Sequence, residues 1–187
     1  MIKRRAILKG GIVGAISLFG WGCSKIPLIG PIIYTSKTSI PIKVLNKALK
    51  KALPRSIKFE DKEVIIVGAY IKDQLVHQRL LIIVRLIFKS FEIPEGVGAE
   101  GSFEGYLRYD PRSRLFFLTS LRAKSLDILD PLLLDYITPE TYRKIPNVVK
   151  KELETIPLVK MREGFDLRKI LSMQIENGHL IIEYERG

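Results

Sequence analysis

The fold class is decided by one run of sequence, RLLIIVRLIFKSF at residues 79–91. Successive side chains of a β-strand point to opposite faces, so the even-numbered residues from Leu80 to Phe88 form a wholly apolar face. The odd-numbered residues form a mixed face that includes Arg85. A strand of this kind needs a cover on its apolar side. The run therefore predicts a strand in a sheet that has one dry face.

Three further segments have strand character, and turn residues separate them. Pro94 and the glycines at 96–101 predict a flexible loop after the long run, and Asp110–Arg114 predicts a turn. Strands that follow one another without intervening helices indicate an antiparallel meander. The three segments are Val64–Val67, Phe103–Tyr109 and Leu115–Ala123.

A short helix is predicted before the strands, at about residues 40–53. Ser39 is a candidate N-cap, Pro41 lies in the first turn, and apolar residues recur at helical spacing until Pro54. The lysines of this segment gather on the face opposite the leucines. That basic face is either solvated or in contact with anionic headgroups, and the sequence leaves both interpretations open.

A second, longer helical segment is predicted from residue 130 to about Thr155. Pro139 and Pro146 predict that it is kinked or divided. Its apolar stripe would lie in the concave side of the sheet. The remaining chain predicts a strand at 158–161, a helical turn at 166–171 and a hairpin with its turn at Asn177–Gly178.

The N-terminal residues 1–22 have the plan of a signal peptide. Cations near the start precede an uncharged apolar run that is shorter than the roughly 20 residues of a membrane-spanning helix. Arg4 and Arg5, followed by apolar residues and Lys9, resemble a twin-arginine export signal. An ordinary basic region for the general secretory route is the alternative. Either route places the domain outside the cytoplasm.

Cys23 is the single cysteine of the chain, and it directly follows Gly22. A lone thiol in an exported protein cannot form an internal disulfide. Its position resembles the bacterial lipoprotein box, which implies that diacylglycerol with fatty-acyl chains such as palmitate is attached to the sulfur; an unmodified cysteine is the alternative. The expected organisation is a signal peptide at 1–22, an acylated cysteine and spacer at 23–37, and a single domain at 38–187. Ser24 is compatible with an outer-membrane location on the periplasmic side.

Motifs that carry chemistry are weak in this sequence. The GxGxxG pattern at 96–101 leads into a strand, whereas a dinucleotide site needs it to open a helix. His77 and His179 have no metal-ligand spacing, and no nucleophile has a convincing base. We therefore expect no catalytic residue, no metal and no cofactor. The net charge of +11 suits nucleic acid and anionic lipid alike, but the export signal argues against nucleic acid and favours a membrane as partner.

From about Tyr34 to Tyr184 the chain resembles the YceB-like bacterial lipoproteins, a family of unknown function. The resemblance is carried by Leu126–Leu129 before the long helix, Pro157–Met161 after it, and the closing hairpin Ile175–Ile182. It implies an α+β fold akin to TULIP (tubular lipid-binding) domains. In that fold a curved antiparallel β-sheet is wrapped around a long, kinked α-helix, here with a short N-terminal helix.

The resemblance also implies a lipid or fatty acid held between sheet and helix. The residues expected to line such a site are Ile82, Val84, Leu86, Phe88, Leu115, Phe117, Tyr142, Ile145 and Val149. Two functions follow as hypotheses. One is a membrane-anchored carrier of lipid or another apolar ligand. The other is a non-catalytic envelope lipoprotein with a solid core, which offers an edge strand or its basic helix to a partner.

Overall fold

The structure is a computed structural model, and it describes residues 35–130, 135–165 and 167–186. The predictions for the signal peptide, for Arg4 and Arg5 and for Cys23 lie outside these residues. The described residues form strands and helices with these bounds: β1 Thr35–Pro41, α1 Ile42–Ala52, β2 Arg55–Phe59, β3 Lys62–Val76, β4 Arg79–Lys89, β5 Val97–Asp110, β6 Leu115–Ile128, α2 Pro139–Leu153, β7 Pro157–Lys160, β8 Lys169–Glu176 and β9 His179–Glu185.

The larger sheet has six antiparallel strands in the order β2-β3-β4-β5-β6-β7. This order confirms the meander, because each strand pairs with the next strand along the chain. The loop predicted at residues 96–101 is wrong, since β5 begins at Val97 and Gly101 pairs with Val84. The connection between β4 and β5 is instead a tight loop in which the backbone of Ser90 and Ile93 is hydrogen-bonded in both directions.

Both helices lie against the concave side of this sheet. Helix α1 contacts β3 and β7, while α2 contacts β6 as well as β2 and β3. These strands stand near opposite ends of the sheet order, so each helix can reach both only if the sheet is curled. The even-numbered side chains of β4 from Leu80 to Phe88 are buried on this side, as the alternation predicts.

The predicted fold class is wrong in its central element. The structure is mostly β, with a curled antiparallel sheet and two short helices among the described residues, not a long helix wrapped by a sheet. Helix α2 has 15 residues and begins at Pro139. The Thr138 hydroxyl accepts a hydrogen bond from the Thr141 amide at 3.3 Å, which caps the helix. Pro139 therefore starts a helix, where its missing N–H costs no bond, rather than kinking one.

A second sheet of three strands, in the order β1-β9-β8, was not predicted. Thr35–Pro41, whose first residues were assigned to the spacer, form an edge of this sheet. The helical turn predicted at 166–171 is wrong, because β8 begins at Lys169. The closing hairpin is confirmed, with Asn177 at φ 50° and Gly178 at φ 73° in its turn.

An aromatic cluster joins the two sheets. The ring of Phe165 lies 5.3 Å from that of Tyr109 in β5 and 5.1 Å from that of Tyr184 in β9. Tyr109 in turn lies 5.1 Å from Phe116 in β6. Tilted and edge-on rings at such distances attract one another in addition to burying area. The cluster therefore fixes the small sheet against the ends of β5 and β6.

Candidate functional site

Six of the nine residues expected to line a lipid site meet in the core. Ile82, Val84, Leu86 and Phe88 of β4 and Ile145 and Val149 of α2 are each no more than 2% exposed. A side chain that faces a cavity wide enough for water keeps accessible surface, and these side chains keep almost none. They belong to the buried core that α2 and the sheet share. An acyl chain could enter here only if the helix moved away from the sheet.

The other three residues are not fully buried. Leu115 and Phe117 are only partly buried, and the buried positions of β6 are Phe116 and Leu118. Phe117 packs under the Arg108 guanidinium, with Cζ 5.2 Å from the ring centroid. Because Phe116 and Phe117 are adjacent, the sequence alone does not show which of the two rings faces the core. Tyr142 is half-buried, and its hydroxyl donates a hydrogen bond to the Leu126 carbonyl.

The structure places an open groove of about 570 Å³ between the two sheets. One wall is the end of β1, Thr38–Pro41. The opposite wall is the end of β7 with the loop that follows it, Val159–Phe165. Val44 of α1 closes one part of the groove and Tyr184 of β9 another. We call this the β1/β7 groove.

Both walls of the β1/β7 groove are strands at the edge of their sheets. Among the described strands, β1 pairs with β9 alone and β7 pairs with β6 alone. A strand paired on one side directs alternate backbone N–H and C=O groups away from its partner. The groove therefore lies beside two strand edges, each of which is paired on one side only.

The floor of the groove is apolar. Ile40, Val159, Met161 and Phe165 contribute to it, and Val44 is 39% exposed although it is a large apolar residue. Exposed apolar surface in a concave site is typical of binding sites. The floor can therefore bury apolar side chains or other apolar groups of a partner.

The rim of the groove is basic. Lys160, Arg162 and Arg186 line it, and none of the three forms an ion pair with a carboxylate of the described residues. Glu163 also lies on the rim, but its carboxylate is bound to the Arg114 guanidinium at 3.1 Å. The rim thus presents an excess of positive charge.

Sequence reasoning missed this groove. Its β7 wall was predicted as a strand, but its β1 wall was assigned to the start of the first helix, with Ser39 as the candidate N-cap. The sequence there has no apolar alternation, because Thr35–Ser39 are all polar, and its weak strand signal is the β-branched character of Thr35, Thr38 and Ile40.

Groups that could support catalysis or metal binding are sparse in the described ranges. These residues contain no cluster of three or more His, Cys, Asp and Glu side chains that could hold a metal ion. Glu104 is a nearly buried carboxylate, at 3.4 Å from the Lys124 ammonium and 3.7 Å from the Arg79 guanidinium. Both cations neutralise it, and it is not among the residues that line the groove. We interpret Glu104 as structural.

No protein-family model matches the sequence, and no curated protein matches it either. The resemblance to the YceB-like lipoproteins therefore stays a prediction. None of the described helices is both long and apolar enough to cross a membrane. The groove is the feature on which a functional argument can rest.

Proposed function

We propose that this chain is a non-catalytic interaction protein, tethered by lipid on Cys23 to a membrane on the extracytoplasmic side, which binds an envelope partner in the β1/β7 groove. The observation that supports the proposal is the contrast between a filled interior and an open groove. The interior positions predicted to hold a ligand are no more than 2% exposed, while the groove offers about 570 Å³ with an apolar floor.

The position of the groove along the chain suits a tethered protein. The β1 wall begins at Thr35, about a dozen residues after Cys23, and a fully extended segment of that length reaches about 40 Å. A lipid anchor on Cys23 would thus keep the groove close to the membrane surface. A partner in or on the same membrane would meet it at a high effective concentration.

Photocrosslinking in cells tests the location of the binding surface. Val44 in the groove and Val67 on the convex face of β3 are matched, since they are 39% and 40% exposed. We expect a photoreactive residue at Val44 to give a discrete crosslinked product and the same residue at Val67 to give none. Equal products at both positions, or none at Val44, would contradict the proposal.

Two measurements test the tether and the filled core. Cys23→Ser is expected to release the chain from the membrane fraction, because a thiol ester or thioether cannot form at serine. Native mass spectrometry of the wild-type chain extracted from membranes is expected to show no non-covalently bound lipid. A stoichiometric bound lipid would favour the carrier hypothesis and overturn this proposal.

A further inference from the structure

We propose that the occupant of the β1/β7 groove is an extended, acidic segment of a partner protein, which adds a strand between β1 and β7. This inference rests on the proposed function, because it specifies the partner that the groove binds. It also specifies the mode of binding, which is backbone pairing with strand edges.

The first argument is the arrangement of the two edges. A peptide beside β1 alone would leave its own outer edge unpaired, as in ordinary addition of a strand to a sheet. In this groove the second edge belongs to β7, the last strand of the larger sheet. An extended segment that pairs with both edges would satisfy its backbone on both sides. It would also make one continuous sheet from the two.

The second argument is size. A residue in a sheet occupies roughly 3.3 Å along the strand, 4.8 Å between strands and 10 Å between layers, or about 160 Å³. A groove of about 570 Å³ therefore holds roughly four extended residues. That number matches the four residues Thr38–Pro41 that form the β1 wall.

The third argument is chemical complementarity. Alternate side chains of an extended segment would face the apolar floor, and the others would face the rim. The rim cations Lys160, Arg162 and Arg186 have no ion-pair partner among the described carboxylates, so acidic side chains complement them. An anionic headgroup could match this charge, but it has no row of amides to pair with strand edges. The combination of edges and charge favours an acidic peptide.

The experiment measures peptide binding by the full chain, purified from membranes in detergent, using isothermal titration calorimetry. The probe is an acetylated, amidated hexapeptide of alternating valine and glutamate. One control peptide carries N-methyl groups on alternate backbone nitrogens, which blocks hydrogen bonds and keeps the side chains. A second control has lysine in place of glutamate.

We expect the probe to bind and each control peptide to bind about tenfold more weakly or worse, because each lacks hydrogen bonds or charge complementarity. Val44→Trp should fill the groove and abolish binding of the probe, while Val67→Trp should leave it unchanged. Arg162→Gln should weaken binding of the probe peptide and make its affinity less dependent on the salt concentration.

Three results would overturn the inference. Equal affinity of the N-methylated peptide would exclude pairing with strand edges, and equal affinity of the lysine peptide would exclude selection for acidic residues. Binding of phosphatidylglycerol vesicles that Val44→Trp abolishes, without binding of the probe, would assign the groove to a lipid surface. If the Val44 crosslink persists but the probe peptide does not bind, the inference of an acidic strand is wrong while the proposed function stands. If the crosslink is also absent, the proposed function fails with it.

Discussion

The two faces of the larger sheet differ in what their side chains do, although the same strands build both. On the concave face, residues such as Leu80, Val84 and Phe103 are no more than 1% exposed and pack under the helices. On the convex face the neighbours of these residues include Arg85 and Glu104, which are held in ion pairs. The concave face thus supplies stability. We propose that binding takes place elsewhere, at sheet edges that are each paired on one side only.

The largest expected difference between the faces concerns phenylalanine. Phe103→Ala would empty a fully buried position and should lower the free energy of unfolding by about 3–5 kcal/mol. Phe117→Ala on the convex face removes a half-buried ring and its contact with Arg108, and should cost about 1 kcal/mol. Urea unfolding of the two variants measures both values. Similar losses of unfolding free energy in the two variants would show that the two faces contribute equally to stability.

Substitution of glycine by alanine tests the effect of close packing by adding a methyl group instead of removing a ring. A Cβ at Gly105 would stand 2.5 Å from Leu121 Cδ2 and 2.9 Å from the Thr119 carbonyl oxygen, whereas a Cβ at Gly68 meets nothing within 4 Å. Overpacking of this kind typically costs about 1–3 kcal/mol, so Gly105→Ala should lower the unfolding free energy by that amount. Gly68→Ala is the matched control, and thermal unfolding should show it unchanged or slightly stabilised.

A smaller effect is expected for the carboxylates of the convex face. Glu104→Gln keeps the shape of a side chain that is 5% exposed but removes its charge from Arg79 and Lys124, and it should cost about 1–2 kcal/mol. Glu100→Gln removes a partner of Arg85 at 3.5 Å in an exposed pair and should cost less than about 0.5 kcal/mol. Equal values from chemical denaturation would show that burial on this face has no energetic effect.

The smallest change is expected at the start of α2, in the pKa of the Glu140 carboxyl. A hydrogen bond from Lys144, at 2.8 Å, lowers the pKa of the Glu140 carboxyl. A lowered pKa in the folded state stabilises the protein above the unfolded pKa, and this contribution is lost as the pH falls through the folded value. Lys144→Gln should therefore raise the pKa of Glu140 toward its ordinary value.

Carbon-detected NMR titration follows that shift, and Asp110 serves as the internal control. Its pKa is lowered by the hydrogen bond from the Ser113 hydroxyl, which does not involve Lys144. A change at Asp110 as large as that at Glu140 would indicate a general disturbance of the fold instead of a lost local contact.

The meander was predictable because its signal is local. The alternation from Leu80 to Phe88 and the turn at Asn177–Gly178 each fix a strand or hairpin from neighbouring residues alone. The helix was overestimated for the same reason. Pro139 and Pro146 are compatible with a kinked long helix, and only the cap at Thr138 shows that a short helix begins there.

The groove could not be predicted from local patterns. Its two walls come from β1 and β7, which are more than a hundred residues apart in the chain. Which edge of a sheet stays unpaired depends on how all strands are ordered, and sequence periodicity carries no information about that order. The ligand-lining role of the interior residues stays a prediction, because an apolar pattern indicates that a face is buried without indicating whether space remains beside it.

The pairing of Thr35 with Glu185 brings the beginning and the end of the domain together. During synthesis β1 is the first of the described strands to emerge, whereas its partner β9 is the last of them. A truncated product that lacks β9 could not assemble the three-stranded sheet, because β9 is its central strand. Such a product would also lack Tyr184 and Arg186, which line the β1/β7 groove, so only chains translated through β9 can form that groove.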